Sequence, residues 1–216
     1  AVSADDKAHL RAKLTPLEDR LNTYLADTYG VSKKSAVKGW VHSHKPFHWF
    51  IEFYAIMAKG GFCGVMGNPP YYDLKQGLEY QLKNYATLST KNLYPVVMER
   101  ALPLCRQNGR LGLIVPISSI STEGYSELQT ILLRYPGHFS SYDDRPARLF
   151  DGLEHIQLTV HLLLKHEVAV PCHFVTECYR WSTIERPILF HLLEYQPVGS
   201  SFLPGCKPKI SSVHES

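Results

Sequence analysis

The sequence contains no Cys-x-x-Cys pair, no low-complexity tract and no apolar run near the roughly 18 residues that a bilayer-spanning helix needs. Because no apolar run is that long, no membrane partner is expected. The 5 cysteines are an odd number, which indicates neither a disulfide framework nor a zinc module. A reducing, cytoplasmic location is therefore predicted. The first residues also lack a signal-peptide pattern and an initiator Met, and we expect an excerpt of a longer protein.

The composition is that of an ordinary globular protein. The 216 residues are 44% hydrophobic and 20% charged, which predicts one domain, or one domain and part of another. The net charge of +3 permits a nucleic-acid partner without requiring one. Residues 31–48 hold four lysines and no acidic residue. We interpret residues 31–45 as a loop by composition, either a solvated one or one that faces phosphate groups.

Apolar spacing predicts strands that alternate with helices. The leucines from Leu10 to Leu25 predict an amphipathic helix over residues 5–28, with a kink or a fresh start capped by Thr15 at Pro16. Further helices are predicted over residues 92–107 and 122–135, a turn at Asn108-Gly109, and strands over residues 62–66, 111–116 and 156–164. This alternation favours an α/β fold. After Val170 the prolines become frequent and the apolar pattern weakens, which indicates a linker or the start of another unit.

One motif stands above the others. The apolar strand at residues 62–66 leads through Gly67 into Asn68-Pro69-Pro70-Tyr71. This strand followed by N-P-P-Y resembles the amino-methyltransferases, which use S-adenosylmethionine to methylate an exocyclic amino group. The resemblance assigns the catalytic role to these four residues.

The chemistry gives a reason for these residue types. The lone pair of an amino nitrogen on a purine ring is delocalised, so two hydrogen-bond acceptors are needed to draw that nitrogen toward tetrahedral geometry. The Asn68 side-chain oxygen and the Pro69 carbonyl are the candidates, and two successive prolines preorganise that carbonyl. Tyr71 offers an aromatic face to a base, and its hydroxyl is given no task. The competing interpretation is a rigid surface turn, since Asn and Pro favour turns.

The resemblance extends beyond the motif, from about Lys7 to Ile210. The stretches that carry it are residues 44–53, 60–62, 92–94, 109–118, 140–150, 179–181 and 185–187. Together they resemble the large adenine-specific methyltransferases of bacterial restriction-modification, including type IIG fused enzymes and those of phage-exclusion systems. The resemblance implies a partial Rossmann-like, S-adenosylmethionine-dependent methyltransferase sheet with flanking helices. It also implies double-stranded DNA as the partner, with the target adenine flipped out of the stack.

Two departures from the family pattern stand out. Cys63 and Gly64 replace the usual acidic and bulky apolar residues of the strand, which affects packing more than chemistry. No glycine-rich cofactor turn occurs in residues 1–61, and Gly60-Gly61 opens no helix. The cofactor-binding residues are therefore unassigned. We expect the N-terminal part of the same catalytic domain to be a separate, missing partner, and this chain alone to be inactive.

The predicted organisation has three parts. Residues 1–45 form an N-terminal helical segment and basic loop, residues 46–170 the downstream part of the catalytic core, and residues 171–216 a linker into the target-recognition region. No metal site is predicted, because His42, His44 and His48 lack typical ligand partners and spacing. Asp143-Asp144 is interpreted as an ion-paired turn.

Two alternative functions remain open. N-P-P-Y also occurs in enzymes that methylate RNA bases or protein glutamine, although the long matches disfavour these substrates. A catalytically incomplete DNA-binding module is the other possibility, which the missing cofactor turn favours. Binding of S-adenosylmethionine separates an enzyme from such a module.

Overall fold

The structure, a computed structural model, describes residues 3–78, 81–152 and 155–198. It divides into two compact units, Ala1–Lys59 with Gly77–Asn84, and Gly60–Gln76 with Tyr85–Ser216. None of the helices formed by the described residues has the length and apolar character needed to cross a membrane.

The first unit is helical. It contains α1 (Ala4–Thr28), α2 (Lys34–His44), α3 (Trp49–Glu52) and α4 (Tyr54–Met57). Ser3 begins α1 with a capping box that pairs its side chain and backbone with Asp6. The fresh start predicted at Pro16 is wrong, because α1 runs through that residue and the Thr15 hydroxyl donates to the Arg11 carbonyl from inside the helix.

The loop predicted over residues 31–45 is also wrong, since most of it is α2. Val37 and Trp40 are buried and pack with Ala26 of α1, while Lys34 and Lys38 are exposed. The three-residue step from Val37 to Trp40 places both on one face of a helix. Burial of that face decides the structure, and the lysines occupy the solvent side.

The second unit is built on a six-stranded mixed sheet. Its strands are β1 (Phe62–Gly67), β2 (Cys105–Pro116), β3 (Gly137–Tyr142), β4 (Leu158–Leu164), β5 (His173–Tyr179) and β6 (Gln196–Val198). Their order is β1-β2-β4-β3-β5-β6, with β1 parallel to β2 and β3 parallel to β5. The predicted α/β class is thereby confirmed, as are the three predicted strands, with β4 inside the sheet.

Three α-helices and several 3-10 turns connect the strands. The α-helices are α5 (Leu93–Leu104), α6 (Ser118–Ser121) and α7 (Ser126–Leu132); the 3-10 turns cover Leu74–Gln76, Ala86–Thr90, Glu123–Tyr125 and Thr183–His191. The main core joins the apolar faces of α5 and α7 to the sheet through Met98, Leu111, Val115, Leu128 and Phe139, among others.

Local geometry corrects three of the predicted elements. The helix predicted over residues 92–107 ends at Leu104, and β2 begins at the next residue. Asn108-Gly109 lies inside β2, where Asn108 has a left-handed φ of 60° and the pairing of β1 with β2 shifts register. The feature predicted as a turn is therefore a strand irregularity. The helix predicted over residues 122–135 is divided between a 3-10 turn and α7.

The sheet continues past Val170, since β5 pairs with β3 and β6 pairs with β5. The break in fold predicted at that point is therefore absent from the part of the chain that the structure describes. The assignment of residues 171–216 to a linker into a target-recognition region stays a prediction, and residues 199–216 lie outside the described ranges.

A buried histidine on β4 carries a pH-dependent share of stability. His161 is fully buried, its Nε2 lies 2.9 Å from the Ser119 hydroxyl, and the Phe139 ring packs edge-on at 5.0 Å. Burial lowers the pKa of His161 from 6.5 to about 3, because a charged imidazole is poorly solvated there. His161 is therefore neutral in the folded protein at neutral pH.

We predict that this histidine makes the fold acid-sensitive. The unfolded chain takes up a proton below about pH 6.5 and the folded chain does not, so this stability is present above that pH and is lost as pH falls toward 3. Between pH 7.5 and 5.0 the loss should be about 2 kcal/mol. Urea unfolding at both pH values measures this loss. The decrease in the free energy of unfolding should be smaller in His161→Gln than in the parent protein, by about 2 kcal/mol. His191→Gln, which removes an exposed imidazole, should leave the drop unchanged; equal drops in all three proteins would contradict the prediction.

Candidate active site

The candidate site lies at one edge of the sheet, where several strands end. Gly67 at the end of β1 pairs with Leu113, three residues before the end of β2. Pro116 pairs with Leu158 of β4, which pairs with Tyr142 at the end of β3. Because β1, β2 and β3 point the same way, the residues that follow them meet at this edge, the usual place for ligands in α/β sheets.

The N-P-P-Y segment begins at this edge directly after β1. Asn68 is exposed and Pro69 is buried, so the Asn68 side chain faces solvent while the next residue is held against the protein. Proline lacks the N–H that would extend the ladder, which accounts for the end of the strand at Gly67. The segment is therefore a rigid turn, and it carries an accessible carboxamide at the carboxyl end of a strand.

Tyr71 connects this turn to β2. Its hydroxyl lies 2.7 Å from Asn68 Oδ1 and 3.0 Å from the Ile114 carbonyl oxygen. Its ring packs edge-on against Tyr94, with the centroids 6.0 Å apart. Burial raises the pKa of Tyr71 to about 12, so the hydroxyl stays protonated at neutral pH. The sequence-based interpretation considered only the ring, and the structure places the hydroxyl in contact with the proposed acceptor.

A group of aromatic residues backs Tyr71, and sequence reasoning missed it. Tyr94 on α5 stacks on Tyr125 with centroids 5.8 Å apart, and its hydroxyl lies 2.9 Å from Ser118 Oγ. Burial raises the pKa of Tyr94 well above its ordinary value, so it too is neutral. The sequence signal that could have indicated Tyr94 is Asn92, a residue type that favours N-caps. Tyr94 follows Asn92 by two residues and so lies in the first turn of α5.

A cavity of about 430 Å³ opens at the same sheet edge, beside the end of β2. Its lining includes Ser118, Asp144, Arg145, His155 and Gln157. The Asp144 carboxylate accepts from the His155 backbone N–H at 2.8 Å, and the Arg145 guanidinium lies 3.1 Å from His155 Nδ1. Sequence reasoning named neither Arg145 nor His155 as a site residue, because their approach depends on the return of the chain between β3 and β4.

Of the two adjacent aspartates, Asp143 forms the predicted ion pair, and Asp144 lies in the bend that follows β3. Asp143 is nearly buried and receives a hydrogen bond from Arg180 at 3.0 Å, while the Asp144 N–H donates to Asp143 at 2.8 Å. Burial alone would raise the pKa of Asp143, but the hydrogen bonds from Arg180, Gln157 and Asp144 together hold it below its ordinary value. The pair is therefore accounted for by structure.

Two of the histidines of the first unit, His44 and His48, also have structural contacts. The His44 ring stacks on Trp40 with centroids 4.7 Å apart, and His48 Nε2 lies 2.8 Å from Asn22 Oδ1. Among the described residues no group of three or more His, Cys, Asp or Glu side chains is placed to hold a metal ion. The four cysteines at described positions are free thiols.

No cradle for a nucleotide-like cofactor is present near β1 in the described ranges. The chain enters β1 from α4 through Gly60-Gly61, and the segments before it are helices. A glycine-rich turn from a strand into a helix, the arrangement that holds such groups, does not occur there. The described residues thus supply hydrogen-bond acceptors and aromatic rings at this edge of the sheet.

Comparison with known proteins gives a family match. Residues 7–138, more than half of the chain, match the family described as Eco57I restriction-modification methylase. A curated relative, "Putative type II restriction enzyme and methyltransferase RM.MjaORFECS2P" of Methanocaldococcus jannaschii, is 32% identical over 85 residues. That alignment covers 39% of this chain and 7% of the relative, so the chain spans a small part of that protein.

A solved structure supports the fold. The chain is similar to a nuclease-deletion mutant of the Type ISP restriction-modification enzyme LlaGI, solved in complex with a DNA substrate mimic, with a TM-score of 0.51 and 14% identity. The match covers 68% of this chain and 18% of that one. At this identity the similarity concerns the architecture of the sheet.

Proposed function

The chain belongs to the Eco57I restriction-modification methylase family, and on that premise we propose that it is part of a site-specific DNA adenine methyltransferase. The proposed reaction transfers a methyl group from S-adenosylmethionine to the exocyclic amino group of adenine in DNA. The proposed biological setting is a restriction-modification or phage-defence system. A cytoplasmic location stays a prediction.

The observation that carries the proposal is the position of Asn68. Its carboxamide is exposed at the carboxyl end of β1, in a turn stiffened by Pro69 and Pro70. An adenine amino group has two N–H donors, and the Asn68 side-chain oxygen and the Pro69 carbonyl are the two acceptors proposed for them. Hydrogen bonds from both N–H groups favour a tetrahedral nitrogen, whose lone pair is then available for attack. S-adenosylmethionine, when bound, supplies an electrophilic methyl group.

The remaining site residue, Tyr71, is proposed to present its ring to the base. An adenine inside a duplex cannot reach Asn68, so the base must leave the stack, and stacking on an aromatic ring offsets part of that cost by roughly 1–3 kcal/mol. Double-stranded DNA is accordingly the proposed partner. Arg145 at the neighbouring cavity is a cation at the same sheet edge and suits a backbone phosphate beside the flipped base.

The cofactor is proposed to be held by residues other than those described. The outer side of β1 supports this. In the described sheet β1 stands at one end of the strand order and pairs only with β2, and its Met66 is 88% exposed. Strands of this parallel type are normally covered on both faces, and an apolar edge strand favours pairing. Further strands beside β1 would complete the sheet, and the chain alone is proposed to lack activity.

The test is methyl transfer by the full-length protein. Purified protein would be incubated with labelled S-adenosylmethionine and unmethylated double-stranded DNA, and the nucleosides identified by mass spectrometry. N6-methyladenine supports the proposal. Label in N4-methylcytosine contradicts the adenine specificity, and label only in RNA or protein glutamine supports the alternative substrates. DNA binding without transfer to any acceptor favours a binding module.

A further inference from the structure

The hydroxyl of Tyr71 is placed between two acceptors and has one proton. Asn68 Oδ1 lies at 2.7 Å and the Ile114 carbonyl oxygen at 3.0 Å, both within hydrogen-bond distance. A phenol donates one hydrogen bond, so it cannot satisfy both oxygens fully at the same time. With the carboxamide in this orientation, whichever of the two oxygens does not receive the proton faces the phenol oxygen with no hydrogen between them.

A half-turn of the Asn68 carboxamide removes this conflict. The two ends of the amide have nearly the same shape, so the NH₂ group can take the place of Oδ1 beside Tyr71. The NH₂ then donates to the Tyr71 hydroxyl oxygen, and the phenol proton goes to Ile114. The N–H that faces Tyr71 and the phenol proton then each have an acceptor of their own, and Oδ1 faces the opposite side with its lone pairs available.

The substrate distinguishes the two arrangements. An incoming amino group carries N–H donors, which the NH₂ end of Asn68 would repel and the Oδ1 end would accept. The Ile114 oxygen belongs to the backbone of β2 and can only accept a hydrogen bond, so it defines the direction in which the Tyr71 proton points. Since the pKa of Tyr71 is about 12, the proton is present throughout the neutral range.

We propose that Tyr71 is a positioning residue whose hydroxyl, anchored on the Ile114 carbonyl, holds the Asn68 carboxamide with its oxygen toward the substrate amino group. This inference rests on the proposed methyl transfer and adds a role for the hydroxyl to that of the ring. The ring and the hydroxyl then act at different stages: the ring in capture of the base, and the hydroxyl in the chemical step.

Tyr71→Phe separates the two roles, because it keeps the ring and its packing on Tyr94 and removes the hydroxyl. In the full-length protein, saturated with DNA and S-adenosylmethionine, we expect the single-turnover rate to fall about five- to tenfold, the effect of one neutral hydrogen bond. The KM for DNA should stay within about twofold, since ring stacking is intact. Fluorescence of 2-aminopurine at the target position, which reports base flipping, should match that of the parent.

Tyr72→Phe is the matched control, because it removes a hydroxyl from the next residue and leaves the contacts of Tyr71 in place. Its single-turnover rate should match the parent's. A rate for Tyr71→Phe within twofold of the parent would overturn the inference. The inference would also be overturned if the KM for DNA or the 2-aminopurine fluorescence changed as much as the rate, or if Tyr71→Phe failed to fold. The hydroxyl would then act in base capture or in stability.

Failure of the inference can be told apart from failure of the proposed function. Asn68→Ala tests the function itself, since that function needs the Asn68 oxygen whatever Tyr71 does. If Asn68→Ala is inactive while Tyr71→Phe is unimpaired, the positioning role alone is wrong. If Asn68→Ala keeps normal turnover, the proposed function is wrong and the role of Tyr71 falls with it.

Discussion

Replacing Asn68 by alanine should reduce methyl transfer by about 100- to 1000-fold, or roughly 3–4 kcal/mol, by analogy with the loss of one oxyanion-hole donor. The change removes one of the two proposed acceptors for the amino group, and this hydrogen bond strengthens as the nitrogen approaches tetrahedral geometry. Asn68 is exposed and follows the last residue of β1, so the fold should tolerate the change. Single-turnover methylation of DNA by the full-length protein is the measurement.

The diagnostic result is a loss in rate without a loss in binding. Calorimetry should give a dissociation constant for S-adenosylmethionine within about threefold of the parent's, and DNA affinity should change as little. Gln76→Ala is a suitable control, because it removes an exposed carboxamide eight residues downstream and away from the contacts of Tyr71. Turnover of Asn68→Ala near the parent's would mean that N-P-P-Y serves here as a turn alone.

The location of the candidate site could be predicted because its signals are local in sequence. An apolar strand that stops at Asn68-Pro69-Pro70 requires no knowledge of the rest of the fold, since proline ends the ladder wherever it occurs. The contact of Tyr71 with Ile114 could not be predicted in this way. The two residues are 43 positions apart and meet only because β1 and β2 are parallel neighbours.

Two differences between the local sequence pattern and the structure have a common physical origin. Residues 31–45 have the composition of a loop, yet burial of Val37 and Trp40 against α1 makes α2 a helix. Residues after 170 have many prolines, yet β5 and β6 find partners on β3 and on each other. In both cases tertiary packing outweighs local preference.

The Gly60-Gly61 pair has a steric role that its sequence did not indicate. Gly61 is buried at the entrance to β1, with a φ of +117°. A Cβ at this position would overlap the Leu104 carbonyl oxygen and would lie 3.1 Å from the Arg106 nitrogen. The backbone where α5 passes into β2 therefore lies so close to Gly61 that only glycine fits, and this close approach brings β1 alongside β2.

Gly61→Ala should accordingly destabilise the second unit by about 3–5 kcal/mol, since it combines a left-handed φ for an L-residue with overlap against backbone atoms that cannot rotate away. Gly60→Ala is the matched control. Gly60 has a φ of +92°, but its Cβ would meet only the Arg106 Cβ, at 3.9 Å. The control should therefore show the conformational cost alone, about 1–2 kcal/mol.

Urea unfolding followed by the fluorescence of Trp181, which is buried in the second unit, would measure both changes. The other tryptophans, Trp40 and Trp49, lie in the first unit and would be replaced by phenylalanine in every protein compared. Equal losses in the free energy of unfolding for Gly60→Ala and Gly61→Ala would show that φ alone determines the cost. The backbone of Leu104 would then move to make room for the added methyl group. A larger loss for Gly61→Ala would identify the close approach of β1 to the start of β2 as the constraint that requires glycine, because the two variants share the conformational cost and differ in what the added methyl group meets.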